Sequence, residues 1–145
     1  EENIKMGGEM SGHIFFYDRY LGFDDAIYAA CRFVEIVAKS DKKVSEMLAD
    51  QPKMYNTPEL KYECTEDNKF EIVERVREHF QKEGHDVNDI DGMRLTFTDG
   101  WALARASNTQ PVITLRFEAE TEDRLKEIRS MVEEVIERVK EEIDS

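Results

Sequence analysis

Two periodicities follow one another in the second half of the chain, and together they leave few folds open. Met93, Leu95 and Phe97 alternate with polar neighbours, the two-residue spacing of a half-buried strand. "TDGW" then supplies an Asp-Gly hairpin turn. Trp101 to Ala106 reads as the next strand and Val112 to Glu118 as the one after, joined by the loop "RASNTQP". After Thr121 the spacing changes, and Leu125, Ile128, Val132, Val135 and Val139 share one helical face. Upstream, Leu60, Tyr62 and Cys64 alternate with Lys61 and Glu63 as a further strand. "NKFEIVERVREHFQKEG" carries Phe70, Val73, Val76 or Arg77, and Phe80 at helical spacing, and Gly84 ends it. The order β-α-β-β-β-α predicts an α+β domain, a four-stranded antiparallel sheet covered by two helices. The last helix also fits barely three heptads, so a coiled coil competes with docking; the sheet's need for a cover favours docking.

The first part of the chain is thinner in signal. "KMGGEMSGHIFF" is a Gly-punctuated turn running into an apolar strand, Ile14 to Phe16. "DDAIYAACRFVEIVAKS" places Ile27, Ala30, Val34 and Val37 on one helical face, with Asp24 as the expected N-cap and Asp25 beside the positive end of the helix dipole. One strand and one or two helices cannot offset an ordering entropy of about 1–2 kcal/mol per residue, so a further partner is expected for this unit. "SDKKVSEMLAD" reads as a short helix, and "QPKMYNTPEL", with Pro52 and Pro58, as a linker. The expected organisation is a partial α/β unit over 1–40, a short helix and linker over 41–58, and a complete domain over 59–145. The opening on Glu1 rather than Met raises the expectation of a fragment.

Charge narrows the function. The formal net charge is −13, which argues against nucleic acid and acidic membranes, because phosphate backbones demand clustered Lys and Arg. No apolar run approaches a membrane span, so no membrane partner is expected. Cys31, in an apolar helical stretch, reads as a small buried residue; with Cys64 it suits a reducing cytoplasm better than a disulfide framework.

Against that acidity, the stretch from Trp101 to Phe117 holds no Asp or Glu. It holds Arg105, a guanidinium fork, followed by Ser107, Asn108 and Thr109, three neutral side chains that donate hydrogen bonds. A phosphate monoester carries nearly two charges and three terminal oxygens and suits such a set. One carboxylate beside it would oppose binding by ~4 kcal/mol at about 4 Å and an effective dielectric near 20. The competing reading is an ordinary polar turn with Arg105 paired to a nearby acid. In "GGEMSGH", Glu9 and His13 stand four apart, but Gly7, Gly8 and Gly12 disfavour the helix that would make them metal ligands. On a loop, Glu9 offers acceptors, Ser11 a donor and acceptor, and His13 a ring nitrogen, a mixture suited to vicinal hydroxyls.

"GGEMSGHIFF", "GFDDAIYAACRFVEI", "TPEL" and "DGWALARASNTQPVITLRFEAET" occur in this order and closely resemble the C-terminal part of the phosphomannomutase/phosphoglucomutase family, within the α-D-phosphohexomutase superfamily. The resemblance implies the end of the family's third, sugar-binding domain over 1–40 and its complete fourth, TATA-box-binding-protein-like domain over 59–145. It implies a cytoplasmic isomerase that moves a phosphoryl group between hexose 1-phosphate and hexose 6-phosphate. The implied route uses a phosphoserine enzyme, a glucose or mannose 1,6-bisphosphate intermediate, and Mg²⁺ held by a domain other than these. By resemblance Glu9, Ser11 and His13 take the sugar hydroxyls, and Arg105, Ser107, Asn108 and Thr109 take the phosphate that is not reacting. Gln110 departs from the family, which often has Glu or Thr there. No "TASHNP"-type serine motif and no "DGDGD"-type metal loop occurs, so catalytic residues and metal ligands are expected in further N-terminal domains of the same chain, and this part alone is expected to be inactive. Two alternatives are a stand-alone, non-catalytic anion-binding or regulatory module and a helix-mediated interaction protein.

Overall fold

A computed structural model describes residues 4–9 and 11–145. The chain divides into two compact units, Glu1–Gln51 and Pro52–Ser145.

In the first unit β1 (Met6–Gly8) and β2 (Ile14–Phe16) form an antiparallel hairpin, with Gly8 opposite Ile14. The helix α1 (Ala26–Lys39) follows. Its N-cap is Asp25, not Asp24: the Asp25 carboxylate accepts the Tyr28 amide at 2.9 Å and the Tyr20 hydroxyl at 2.5 Å. These two bonds, the Tyr20 one foremost, hold the Asp25 carboxyl below its usual range. Tyr20 stacks on Tyr28, Phe16 meets Tyr28 edge to face, and Arg32 lies 4.5 Å over the Phe16 ring while gripping Asp18 with both terminal nitrogens. Phe16 is the one buried residue among those described in this unit. The apolar face expected on α1 is present but bare, with Ile27 79% and Val34 63% exposed. Cys31 lies on that face and is exposed too, so its expected burial is corrected. The short helix expected after residue 40 is only a single 3-10 turn, Val44–Glu46.

The second unit has β3 (Tyr55–Asn56), β4 (Leu60–Glu63), α2 (Lys69–Lys82), β5 (Asp86–Asn88), β6 (Met93–Phe97), β7 (Gly100–Ala106), β8 (Val112–Ala119) and α3 (Glu122–Asp144). The class is α+β, and the sheet is antiparallel with six strands where four were expected. Along the order β3-β8-β7-β6-β5, β4 shares the outer side of β8 with β3. The two additions are edge strands of two and three residues, too short to show alternation. Tyr55 and Asn56, read as linker, therefore open the sheet. Between the pairs Asn56–Glu118 and Leu60–Leu115, residues 57–59 oppose 116 and 117, three against two, which is a bulge at Pro58. Thr57 bridges it: its amide donates to Phe117 O at 3.0 Å and its hydroxyl accepts from Phe117 N at 3.2 Å.

Alternation on β6, β7 and β8 sends Met93, Leu95, Ala102, Ala104, Ile113, Leu115 and Phe117 to one face, all buried. There α2 supplies Ile72, Val73, Val76 and Phe80, and α3 supplies Ile128, Val132, Val135, Ile136 and Val139, in a single core. Each such side chain, fully buried, contributes about 1.5–3 kcal/mol relative to exposure. The last helix thus docks on the sheet, and Thr121 caps it by accepting the Arg124 amide at 3.1 Å. Phe70, expected in the core, is 55% exposed. At 3.6 residues per turn it stands about 120° round the helix from Val76, and Ile72 holds the central place instead. The hairpin after β6 turns on Thr98 and Asp99, with Gly100 already paired to Phe97. Its glycine answers a close approach: a Cβ there would lie 2.5 Å from Glu118 O.

Candidate functional site

The loop 107–111 leaves β7 at Ala106 and enters β8 at Val112, both locked in the ladder. The Ser107 amide donates to Val112 O at 2.9 Å, which closes the loop at its base. The Ser107 hydroxyl oxygen accepts the Thr109 and Gln110 amides at 3.3 and 3.2 Å and draws the chain into a tight turn. Its O–H is then left to donate outward. The Asn108 and Thr109 side chains are exposed and make no hydrogen bond among the described residues. Gln110 is held from two sides, by Lys61 Nζ at its side-chain oxygen (2.9 Å) and by Lys69 Nζ at its carbonyl (3.2 Å).

Arg105 is half-exposed and not free. Its Nη1 lies 3.1 Å from Asp91 Oδ2, so the acid-free window in sequence is not acid-free in space. The acid arrives on the loop between β5 and β6, which presses against β7 at Gly92. That glycine has φ +86°, and a Cβ on it would lie 2.5 Å from Ala104 O and 3.1 Å from the Arg105 Cα. The cleft here has a volume of about 240 Å³ and is walled by Phe70, Arg77, Asp89, Asp91, Arg105 and Asn108. Arg77 pairs with Asp89 at 3.2 Å and with Glu74. Exposed pairs such as Arg105–Asp91 are worth about 0–1 kcal/mol.

The glycine-flanked loop of the first unit is built differently. The Glu9 amide donates to His13 O at 2.9 Å, the Gly12 amide donates to Glu9 O at 3.0 Å, and Gly12 takes φ +92°. The Ser11 hydroxyl donates to Glu9 Oε2 at 3.0 Å, and Oε1 has no partner among the described residues. His13 Nδ1 meets Asp24 Oδ2 at 2.5 Å. A carboxylate only accepts, so Nδ1 carries a proton; Nε2 is left as an acceptor in the neutral ring and as a donor in the protonated one. That bond, with the Asp24 charge behind it and a smaller share from Glu9, holds the His13 ring above its ordinary pKa. Glu9, Ser11 and His13 thus fall on one hairpin loop, and Arg105, Ser107, Asn108 and Thr109 on one strand end.

Four residues here escaped the sequence reading. Asp24 reads as a helix cap, Asp91 lies 14 positions from Arg105, and Lys61 and Lys69 carry no motif. The neighbouring glycine of Asp91-Gly92 is the only available signal for the close approach. Among the described residues no group of three or more His, Cys, Asp or Glu side chains is placed to hold a metal ion, and no helix is long and apolar enough to cross a membrane.

Residues 59–135 match the family model "Phosphoglucomutase/phosphomannomutase, C-terminal domain", and residues 1–55 match "Phosphoglucomutase/phosphomannomutase, alpha/beta/alpha domain III". A curated phosphomannomutase/phosphoglucomutase of Pseudomonas aeruginosa is 41% identical over 131 residues, covering 90% of this chain and 28% of its own. A phosphoglucomutase of Neisseria gonorrhoeae is 42% identical over 134 residues, covering 91% of this chain and 29% of its own. The crystal structure of a phosphoglucomutase/phosphomannomutase family protein from Burkholderia thailandensis superposes with a TM-score of 0.79 at 38% identity, over 94% of this chain and 28% of that one. The chain therefore spans under a third of the length of these relatives. Two consecutive domain matches, in the order and at the places where the two loops lie, put the chain in the phosphoglucomutase/phosphomannomutase family.

Proposed function

We propose that this chain is the C-terminal part of a phosphohexomutase that interconverts hexose 1-phosphates and hexose 6-phosphates of the mannose or glucose type, through a phosphoserine enzyme and a 1,6-bisphosphate. Arg105, Ser107, Asn108 and Thr109 grip the phosphate that does not transfer. Glu9, Ser11 and His13 engage sugar hydroxyls. The reactive serine and the Mg²⁺ belong to other domains of the longer protein, so this part binds substrate without turning it over.

The observation that carries the reading is the loop 107–110. Its turn is held by the Ser107 oxygen, while Asn108 lines the cleft with Arg105 and the Asn108 and Thr109 side chains make no hydrogen bond among the described residues. Phosphoryl transfer relies chiefly on positioning and charge stabilisation. Neutral donors around one guanidinium fit a phosphate at either end of the sugar, as a ligand that must bind in two orientations requires. An arriving dianion would compete with Asp91, which pairs with Arg105 at 3.1 Å.

NMR titration of the 145-residue chain with glucose 1-phosphate tests this. Shifts are expected at residues 105–109, and Arg105→Ala should weaken binding by ~1.5–3 kcal/mol. Shifts confined to other residues, or unchanged affinity in the variant, would end the assignment.

A further inference from the structure

Lys69 is 2% exposed, the least expected occupant of a buried site in this fold. It sits in the first turn of α2, and its Nζ meets Glu66 Oε2 at 2.5 Å and Gln110 O at 3.2 Å and lies 5.2 Å from the Phe70 ring centroid. An ammonium withdrawn from water is strongly disfavoured, and an apolar side chain of similar volume would fill the same space without that penalty. The Glu66 carboxylate, itself 62% exposed, offsets part of that penalty, and the bond to Gln110 O ties the lysine to the loop. That carbonyl is where the loop 107–111 ends, and it also accepts the Val112 amide at 2.8 Å, so both its lone pairs are used.

The turn that carries Lys69 is itself fixed. The Thr65 amide donates to Asn68 Oδ1 at 2.8 Å, the Asn68 amide donates back to Thr65 Oγ1 at 3.2 Å, and Asn68 Nδ2 donates to Asp144 Oδ1 at 3.1 Å. The next carbonyl, Pro111 O, is taken by the Cys64 amide at 3.1 Å. Two successive carbonyls at the loop's exit are thus tied to the segment 64–69. Phe70, the next residue, walls the cleft that holds Arg105 and Asn108.

We propose that Lys69 is a positioning residue for the phosphate loop: its buried ammonium fixes the loop's exit at Gln110, so that Asn108 keeps its place beside Arg105 and Thr109 its place in the turn. The inference rests on the phosphate-binding reading of that loop. Lys69 touches no ligand and acts through the backbone.

The test uses the 145-residue chain, Lys69→Met, and inorganic phosphate as the probe, with amide hydrogen exchange read alongside. Lys69→Met should keep or raise the melting temperature, speed exchange at Thr109 and Gln110 while leaving β6–β8 protected, and weaken phosphate binding about tenfold, the scale seen when a group orienting a binding residue is lost. Lys61→Met, which frees only the exposed side chain of Gln110, should do less on both readouts. Should the methionine variant not hold its fold, Lys69→Gln carries the same test. Unchanged exchange at Thr109 and Gln110, or loss of stability and binding in parallel, would overturn the positioning role. If the unmodified chain binds no phosphate, the functional reading falls, and the exchange data alone decide whether Lys69 orders the loop.

Discussion

The two candidate loops share a family but not a foundation. The loop 107–111 closes a strand pair at the centre of a six-stranded sheet, over a core of buried residues from two helices. The loop 9–13 closes a hairpin of three-residue strands in a unit where Phe16 is the one buried residue described. A loop that grips a dianion gains from rigidity, because its donors must converge on fixed oxygens. A loop held by side-chain pairs, Ser11 to Glu9 and His13 to Asp24, is instead sensitive to protonation and to whatever covers its unit.

That contrast can be broken in order of effect. Phe117→Ala removes a fully buried ring from β8 and should cost about 3–5 kcal/mol, read by urea unfolding of the second unit. Little change would mean the core does not support that loop. A smaller effect concerns the competitor at Arg105. Asp91→Asn should tighten phosphate binding by up to about 1 kcal/mol in the NMR titration, the limit for an exposed pair. Weaker binding would show Asp91 positioning Arg105 instead of blocking it. Smallest in energy is the His13–Asp24 pair. Because the folded ring titrates above its ordinary value, the pair's contribution is complete below about 6.5 and fades as pH rises through the raised pKa. The His13 ring signal in NMR should therefore titrate above that value, and Asp24→Asn should bring it down. An ordinary midpoint in the unmodified chain would dissolve the pair.

The same contrast governed what could be read in advance. Strands with an inner and an outer face write their period into the sequence, so β4, β6, β7, β8 and both long helices of the second unit were legible. Edge strands of two or three residues are too short to carry a period, which hid β3 and β5. Phe70 lies off the covered stripe of α2, and Cys31 lies on an apolar face that hydrophobicity marks without saying whether anything covers it. The binding residues were legible as a composition, a guanidinium and three donors. Their partners were not, since Asp91 and Lys69 reach the loop only through the sheet's connections and the packing of α2.

The interruption at Pro58 bears on more than local geometry. The outermost rim of the sheet is divided into runs of two and four residues by a position that lacks an N–H, and Lys61 stands on the longer run. A foreign strand laid along that rim finds neither an unbroken row of amides nor a neutral one, so this rim is a poor template for strand addition even in a crowded, concentrated solution.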